Sequence, residues 1–259
     1  FNWGEIGRFA KFGMAEVFMI LALVVYWRKY NAFSGKVSLL VASILLGVLL
    51  ALFGQTYQTG ADTWQLFFNW ALLILPWAFI GRFAALWFLW IVLVNISIVL
   101  YYQTFQSIFW FIVDGEMQTL WVVFFVNTCI LILWEIISKK LRWLAEGWVV
   151  RVIAVTSGFS ITWLVLNTIL DSKEFNVTPL LVWILFIISM YWVYRKIQPD
   201  LFMLAGCCLS GIIIIVSLAG NYLFETWDGG EEFLLALLVI GLGSSSAYWL
   251  KKLHKEFNV

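Results

Sequence analysis

A run of about 20 mostly apolar residues recurs nine times along this chain, and that recurrence decides the solvent in which it folds. A helix rises about 1.5 Å per residue, so about 20 residues cross a hydrocarbon core about 30 Å thick. The runs lie near 9–27, 37–54, 64–80, 83–103, 118–138, 148–170, 178–194, 200–219 and 233–250. Hydrocarbon offers no partner to an open backbone N–H or C=O, and a helix closes those groups on itself. The expected fold is therefore all-α: a polytopic transmembrane helix bundle of nine spans, one domain over residues 1–259. Composition agrees, since 12% of the residues are charged, against about a quarter in a soluble domain. Pro76 lies inside the third run and lacks an N–H, which predicts a kink or a helix end there.

The segments between the runs alternate in charge. Arg28, Lys29 and Lys36 follow the first run, Arg82 the third, and Lys139, Lys140 and Arg142 the fifth. Arg195 and Lys196 follow the seventh, and Lys251, Lys252 and Lys255 the ninth. The other segments carry Asp62, then Asp114 and Glu116, then Asp171, Lys173 and Glu174, then Glu225, Asp228, Glu231 and Glu232. Lysine and arginine concentrate on the cytoplasmic side, so the basic segments and the C-terminus are expected inside. Residue 1 is then outside, although no signal peptide precedes the first run. That reading places a further apolar helix upstream and gives ten spans in all. The stretch 104–118, "TFQSIFWFIVDGEMQ", holds too short an apolar run to cross and is expected to lie along the outer interface.

Several function classes fall away on the same reading. A net charge of +1 without a basic tract gives nucleic acid nothing to bind. Cys129, Cys207 and Cys208 sit inside apolar runs and read as buried thiols, not a disulfide framework. His254 has no histidine or cysteine at ligand spacing, so no metal and no cofactor is expected. No Ser–His–Asp set is available, and "GLGSSSAYW" (241–249) reads as small residues for close helix packing. Glu135 and Lys139, four apart, read as an ion pair at a helix end. Arg151 reads as a snorkelling cation, and Asn95, Asn127 and Asn167 as bonds between helices. A faint echo relates the stretch from Tyr26 to that from Tyr191, aligning Gln55 with Asn221 as in a parallel repeat.

One stretch stands apart. "FGQTYQTGADTWQLFFNW" (53–70) crowds hydrogen-bonding side chains between two apolar runs. Its centre forms the first outer loop, and Gln65 and Asn69 enter the third span on one helical face. Arg8, Lys11 and Glu16 surround the start of the first span, on the same side. Glu16 lies about 10 Å into its helix, and an ionisable group at depth normally faces the bundle interior or a cavity. Arg8, Lys11, Glu16, Gln55, Tyr57, Asp62, Gln65 and Asn69 are therefore the expected binding residues, gathered in one outer-facing polar pocket. A solvated turn with Trp64 as an interfacial anchor is the plainer alternative.

"FNWGEIGRFAKFGMAE" followed by "GQTYQTGADTWQLFFNWALLILPW" resembles the bacterial membrane proteins grouped as domain of unknown function 2157. The resemblance covers roughly residues 1–105; the remainder shares only hydropathy. It implies a multi-pass protein of the bacterial inner membrane, an upstream helix ending near Asn-Trp, and no activity to carry over. Two functions are expected to compete on this frame. One is a transporter, or a lipid- or small-molecule-binding protein, working through the polar pocket with membrane lipids as partners. The other is a non-catalytic scaffold or subunit docking another membrane protein. An enzyme ranks behind both, because it would need Glu16 and Asp62 as acid and base without a metal set.

Overall fold

The computed structural model describes residues 7–58, 60–109, 115–144, 146–170, 176–226 and 230–257. Among them, nine helices are long and apolar enough to cross a membrane, as the nine runs require. They are α1 (Arg8–Arg28), α2 (Phe33–Tyr57), α3 (Thr63–Gly81), α4 (Ala84–Phe109), α5 (Gly115–Ser138), α6 (Gly147–Leu170), α7 (Thr178–Trp192), α8 (Leu201–Thr226) and α9 (Glu231–Phe257). No strand occurs among the described residues. Asp114, Asp171, Lys173, Glu174 and Asp228 of the expected outer loops lie outside them, as does the opening Phe-Asn-Trp.

The helices exceed the apolar runs mainly where polar residues extend them. α2 continues through Gln55 and Tyr57, and α9 continues through Lys251 to Phe257. Of the piece expected along the interface at 104–118, residues 104–109 continue α4 and 115–118 open α5, while 110–114 lie outside the described residues. Pro76 does not end α3, which continues to Gly81. A proline removes one backbone donor, and the flanking turns hold the helix.

The residues group into two compact units, Phe1–Thr119 with Leu133–Val149, and Leu120–Ile132 with Val150–Val259. In the first unit, short links fold α1 to α4 back and forth. Lys29 to Ala32 turns α1 into α2, with the Ala32 N–H donating to the Lys29 carbonyl at 2.9 Å. Gln58 and Gly60 take positive φ, at 44° and 65°, and turn α2 into α3. Leu39, Ala78 and Leu86 form one buried cluster, and Ala71, Ile74 and Leu93 a second. Between α2 and α3, Trp70 lies across Gly47 so closely that a Cβ there would overlap the six-membered ring of the indole. The same indole donates its Nε1–H to the Ser43 carbonyl at 2.8 Å. Nearer the end of this unit, Trp134 Nε1 donates to the Leu144 carbonyl at 3.1 Å.

The second unit is built on α6, the most buried of the spans. Val165, Ile169 and Ile214 pack with Leu180 and Trp183. α7 ends in a wide π turn, Val193–Ile197, where the Gln198 N–H donates to the Val193 carbonyl at 2.9 Å. Two ion pairs tie helix ends together: Arg151 Nε to Asp200 Oδ2 at 3.0 Å, and Arg195 Nη2 to Glu256 Oε2 at 2.6 Å.

Several expectations are corrected here. Among the described residues no ion pair joins Glu135 to Lys139, and Glu135 is not left without a partner. The Asn95 and Asn127 amides each donate along their own helix, to the Ile91 and Val123 carbonyls at 2.9 and 2.8 Å, and each makes a further contact besides, so these bonds do not decide against the expected ones between helices. Gly241 and Gly243 meet nothing a Cβ would touch, and the packing of α9 on α8 runs instead past Ser246, which hydrogen-bonds Cys208. Gln55 is exposed, whereas the aligned Asn221 donates to the Ile169 carbonyl at 3.2 Å, so the two positions do different work.

Candidate functional site

The hairpins of the first unit bring the start of α1, the end of α2 and the start of α3 to one end. Arg8, Lys11, Gln55, Tyr57, Asp62, Gln65 and Asn69 all stand on those helix ends. Arg8, Gln55, Tyr57, Asp62 and Asn69 are exposed, and Lys11 and Gln65 are half-buried. Beyond the Gln65 N–H donating to the Asp62 carbonyl at 3.0 Å in the first turn of α3, no side-chain hydrogen bond or ion pair among the described residues joins Arg8, Glu16, Gln55, Tyr57, Asp62, Gln65 and Asn69 to one another. Tyr57 instead rests on Phe53 with ring centroids 4.8 Å apart. Glu16 stands eight residues, or about 12 Å, along α1 from Arg8. The inward-facing Glu16 of the sequence reading is exposed, because α1 turns Ala15 and Ala22 inward instead.

The second unit contains a feature the sequence reading did not foresee. A cavity of about 210 Å³ lies between α6, α7 and α8. Along α6 it follows Ala154, Val155, Gly158 and Thr162, one stripe at helical spacing. Phe186 and Met190 of α7 close its back. Two glycines hollow it: a Cβ at Gly206 would meet nothing within 4 Å, and one at Gly158 only the Phe186 ring at 3.9 Å. Val155 and Phe159 on α6, with Leu209 on α8, are exposed and flank the open side. From Phe202 to Ile213 the lining runs along twelve residues of α8, a rise of about 16 Å. That length is close to one leaflet's share of a hydrocarbon core about 30 Å thick. The cavity is a slot.

Its polar groups are already committed. The Trp183 Nε1–H donates to Ser210 Oγ at 2.8 Å, and Ser210 and Thr162 hydroxyls meet at 2.6 Å. Thr162 Oγ1 donates to the Gly158 carbonyl at 2.6 Å. Since Thr162 has one hydroxyl proton, Ser210 must supply the proton between the two. Both hydroxyl protons are used, and the side-chain donor left on the lining is the weak S–H of Cys207. The volume would hold about seven waters at about 30 Å³ each, yet ordered water needs two to four polar partners. The slot suits hydrocarbon.

At one end of the slot stands Arg151, one turn before Ala154 and on the same stripe of α6. Its Cζ lies 5.6 Å from the centroid of Phe202, a lining residue. Asp200 receives Arg151 Nε on one oxygen and the Phe202 N–H on the other, at 2.9 Å. Arg151 is thus held by a carboxylate and an aromatic face instead of snorkelling freely.

Residues 1–87 match the model of a family described as predicted membrane protein (DUF2157). The match stops in the first turn of α4, short of the expected residue 105, and covers about a third of the chain. It includes the polar end of the first unit and excludes the slot. Comparisons with curated proteins and with solved structures gave no match.

Proposed function

With residues 1–87 falling in a family of predicted membrane proteins, we propose that this multi-pass protein binds the hydrocarbon chain of a membrane molecule in the slot between α6, α7 and α8. It acts there as a lipid- or small-molecule-binding protein or a transporter, set in a bacterial inner membrane with its C-terminus cytoplasmic. One observation carries the reading. A cavity of about 210 Å³, flanked by exposed apolar side chains and with its hydroxyl protons spent internally, sits within membrane-length helices. A cavity of about 150 Å³ with apolar walls already holds a benzene ring. The test is retention of lipid by the purified full chain through detergent exchange, read by native mass spectrometry. Gly206→Leu fills the slot and should lose the retained molecule while melting no lower than wild type. Retention unchanged by Gly206→Leu would refute the reading.

A second reading rests on the polar end of the first unit. Arg8, Lys11, Glu16, Gln55, Tyr57, Asp62, Gln65 and Asn69 offer hydrogen-bonding groups at or near a helix-end surface, which suits a scaffold docking another membrane protein. Photocrosslinking from Tyr57 in intact cells tests it, and a crosslink to lipid alone would refute it.

A further inference from the structure

We propose that Arg151 makes the slot a site for an anionic phospholipid, with a lipid chain along α6 and α8 and the phosphodiester on the free Nη groups of the guanidinium; the inference rests on the slot reading. The Asp200 bond uses Nε, and no hydrogen bond among the described residues uses either Nη. The guanidinium fork fits a phosphodiester with two parallel N–H···O bonds. The Arg151 side chain is about half exposed, so the fork is open to an incoming headgroup.

Depth and charge point the same way. Ala154 to Thr162 and Phe202 to Ile213 carry the slot inward from Arg151 by about one leaflet. A lipid whose headgroup sits at Arg151 therefore has its chain at the right depth without being lifted from the bilayer. Headgroup and slot then act as one site. The end of this unit that holds Arg151 also carries Arg195, Lys196, Lys251, Lys252 and Lys255, against the carboxylates of Asp200 and Glu256. Basic side chains near a membrane surface favour anionic lipid. Asp200 opposes this locally, since it neutralises part of the charge on Arg151 while fixing its direction. The committed hydroxyls exclude the reverse pose, because a phosphodiester pushed inward would find no donor at Ser210 or Thr162.

The experiment uses the full chain in phosphatidylcholine nanodiscs, doped with lipids carrying the same diazirine tail on a phosphatidylglycerol, a phosphatidylcholine or a free carboxylate. Labelled peptides are mapped after irradiation. The expected result is labelling within 154–213 that prefers phosphatidylglycerol over phosphatidylcholine and is lost in Gly206→Leu for every tail. Arg151→Gln should reduce labelling by phosphatidylglycerol about tenfold, the worth of one charge-assisted hydrogen bond to the phosphodiester. Asp200→Asn keeps an oxygen for the Phe202 N–H and should raise the preference, because it releases the guanidinium. A purely structural ion pair would lower labelling in both variants, and that result overturns the proposal. Equal labelling by phosphatidylglycerol and phosphatidylcholine, still abolished by Gly206→Leu, overturns the headgroup assignment and leaves the slot standing. Labelling by the free acid alone assigns a monoacyl carboxylate and overturns the phospholipid. Labelling of 154–213 that ignores Gly206→Leu overturns the slot itself.

Discussion

Gly47→Ala should damage this protein far more than the same change made two turns later in the same helix. At Gly47 the new Cβ would overlap the Trp70 indole, while at Gly54 it meets nothing within 4 Å. Helix propensity favours alanine over glycine by about 1 kcal/mol at either position, so it cancels when the two variants are compared. What remains at Gly47 is overpacking, about 1–3 kcal/mol, and the Trp70 Nε1 bond to the Ser43 carbonyl. That bond is 2.8 Å long, and losing it costs about 1 kcal/mol. The two variants should therefore differ by about 2–4 kcal/mol. At about 2–4 °C per kcal/mol for a chain of this size, the gap in Tm is on the order of 10 °C. Helical circular dichroism of the detergent-solubilised protein measures it, since 17 tryptophans blur the fluorescence of any one. A Trp70→Leu background should shrink the Gly47→Ala penalty, because the overlapping ring is gone. Equal Tm for Gly47→Ala and Gly54→Ala, or an undiminished penalty in the Trp70→Leu background, would show that the α2–α3 contact does not depend on the missing Cβ.

Ser157 is fully buried and its hydroxyl has no hydrogen-bond partner among the described residues. Ser157→Ala should raise stability by about 1 kcal/mol by removing that desolvated group, and a lower Tm would show that the hydroxyl is satisfied. A cysteine placed at exposed Asp62 in a cysteine-free chain should react with an impermeant maleimide added to whole cells, whereas one at exposed Lys140 should react only after disruption. The opposite pattern would invert the orientation inferred from the basic segments.

The helices were legible because their cause is local. Every span must keep its own backbone bonds inside about 30 Å of hydrocarbon, so hydropathy alone finds α1 near 9–27 and α6 near 148–170. Helix-to-helix partnership is not local, and that is where the reading stopped. Arg151 looked like a lone snorkelling cation because Asp200 lies 49 residues away. The slot needs Gly158 on one helix and Gly206 on another to face each other, and one sequence does not pair them. A signal was present: "TSGFSIT" and "AGCCLSG" both set glycine beside hydroxyls in a span. Glu16 misled for the opposite reason. The cost of a carboxylate at depth argued for an inward face, but α1 packs through Ala15 and Ala22, whose small side chains allow close approach to α2.

The hydroxyl relay beside the slot also limits what can be coupled to it. A proton wire works by each member taking a proton on one side and releasing one on the other. Here the sequence of donors runs one way, from the Trp183 indole through Ser210 and Thr162, and stops on the Gly158 carbonyl. A carbonyl has no proton to pass on, and an indole N–H gives its own up only to very strong base. As built, this relay conducts nothing, so energising any movement of a chain through the slot by a proton gradient would have to draw on some other path through the bundle.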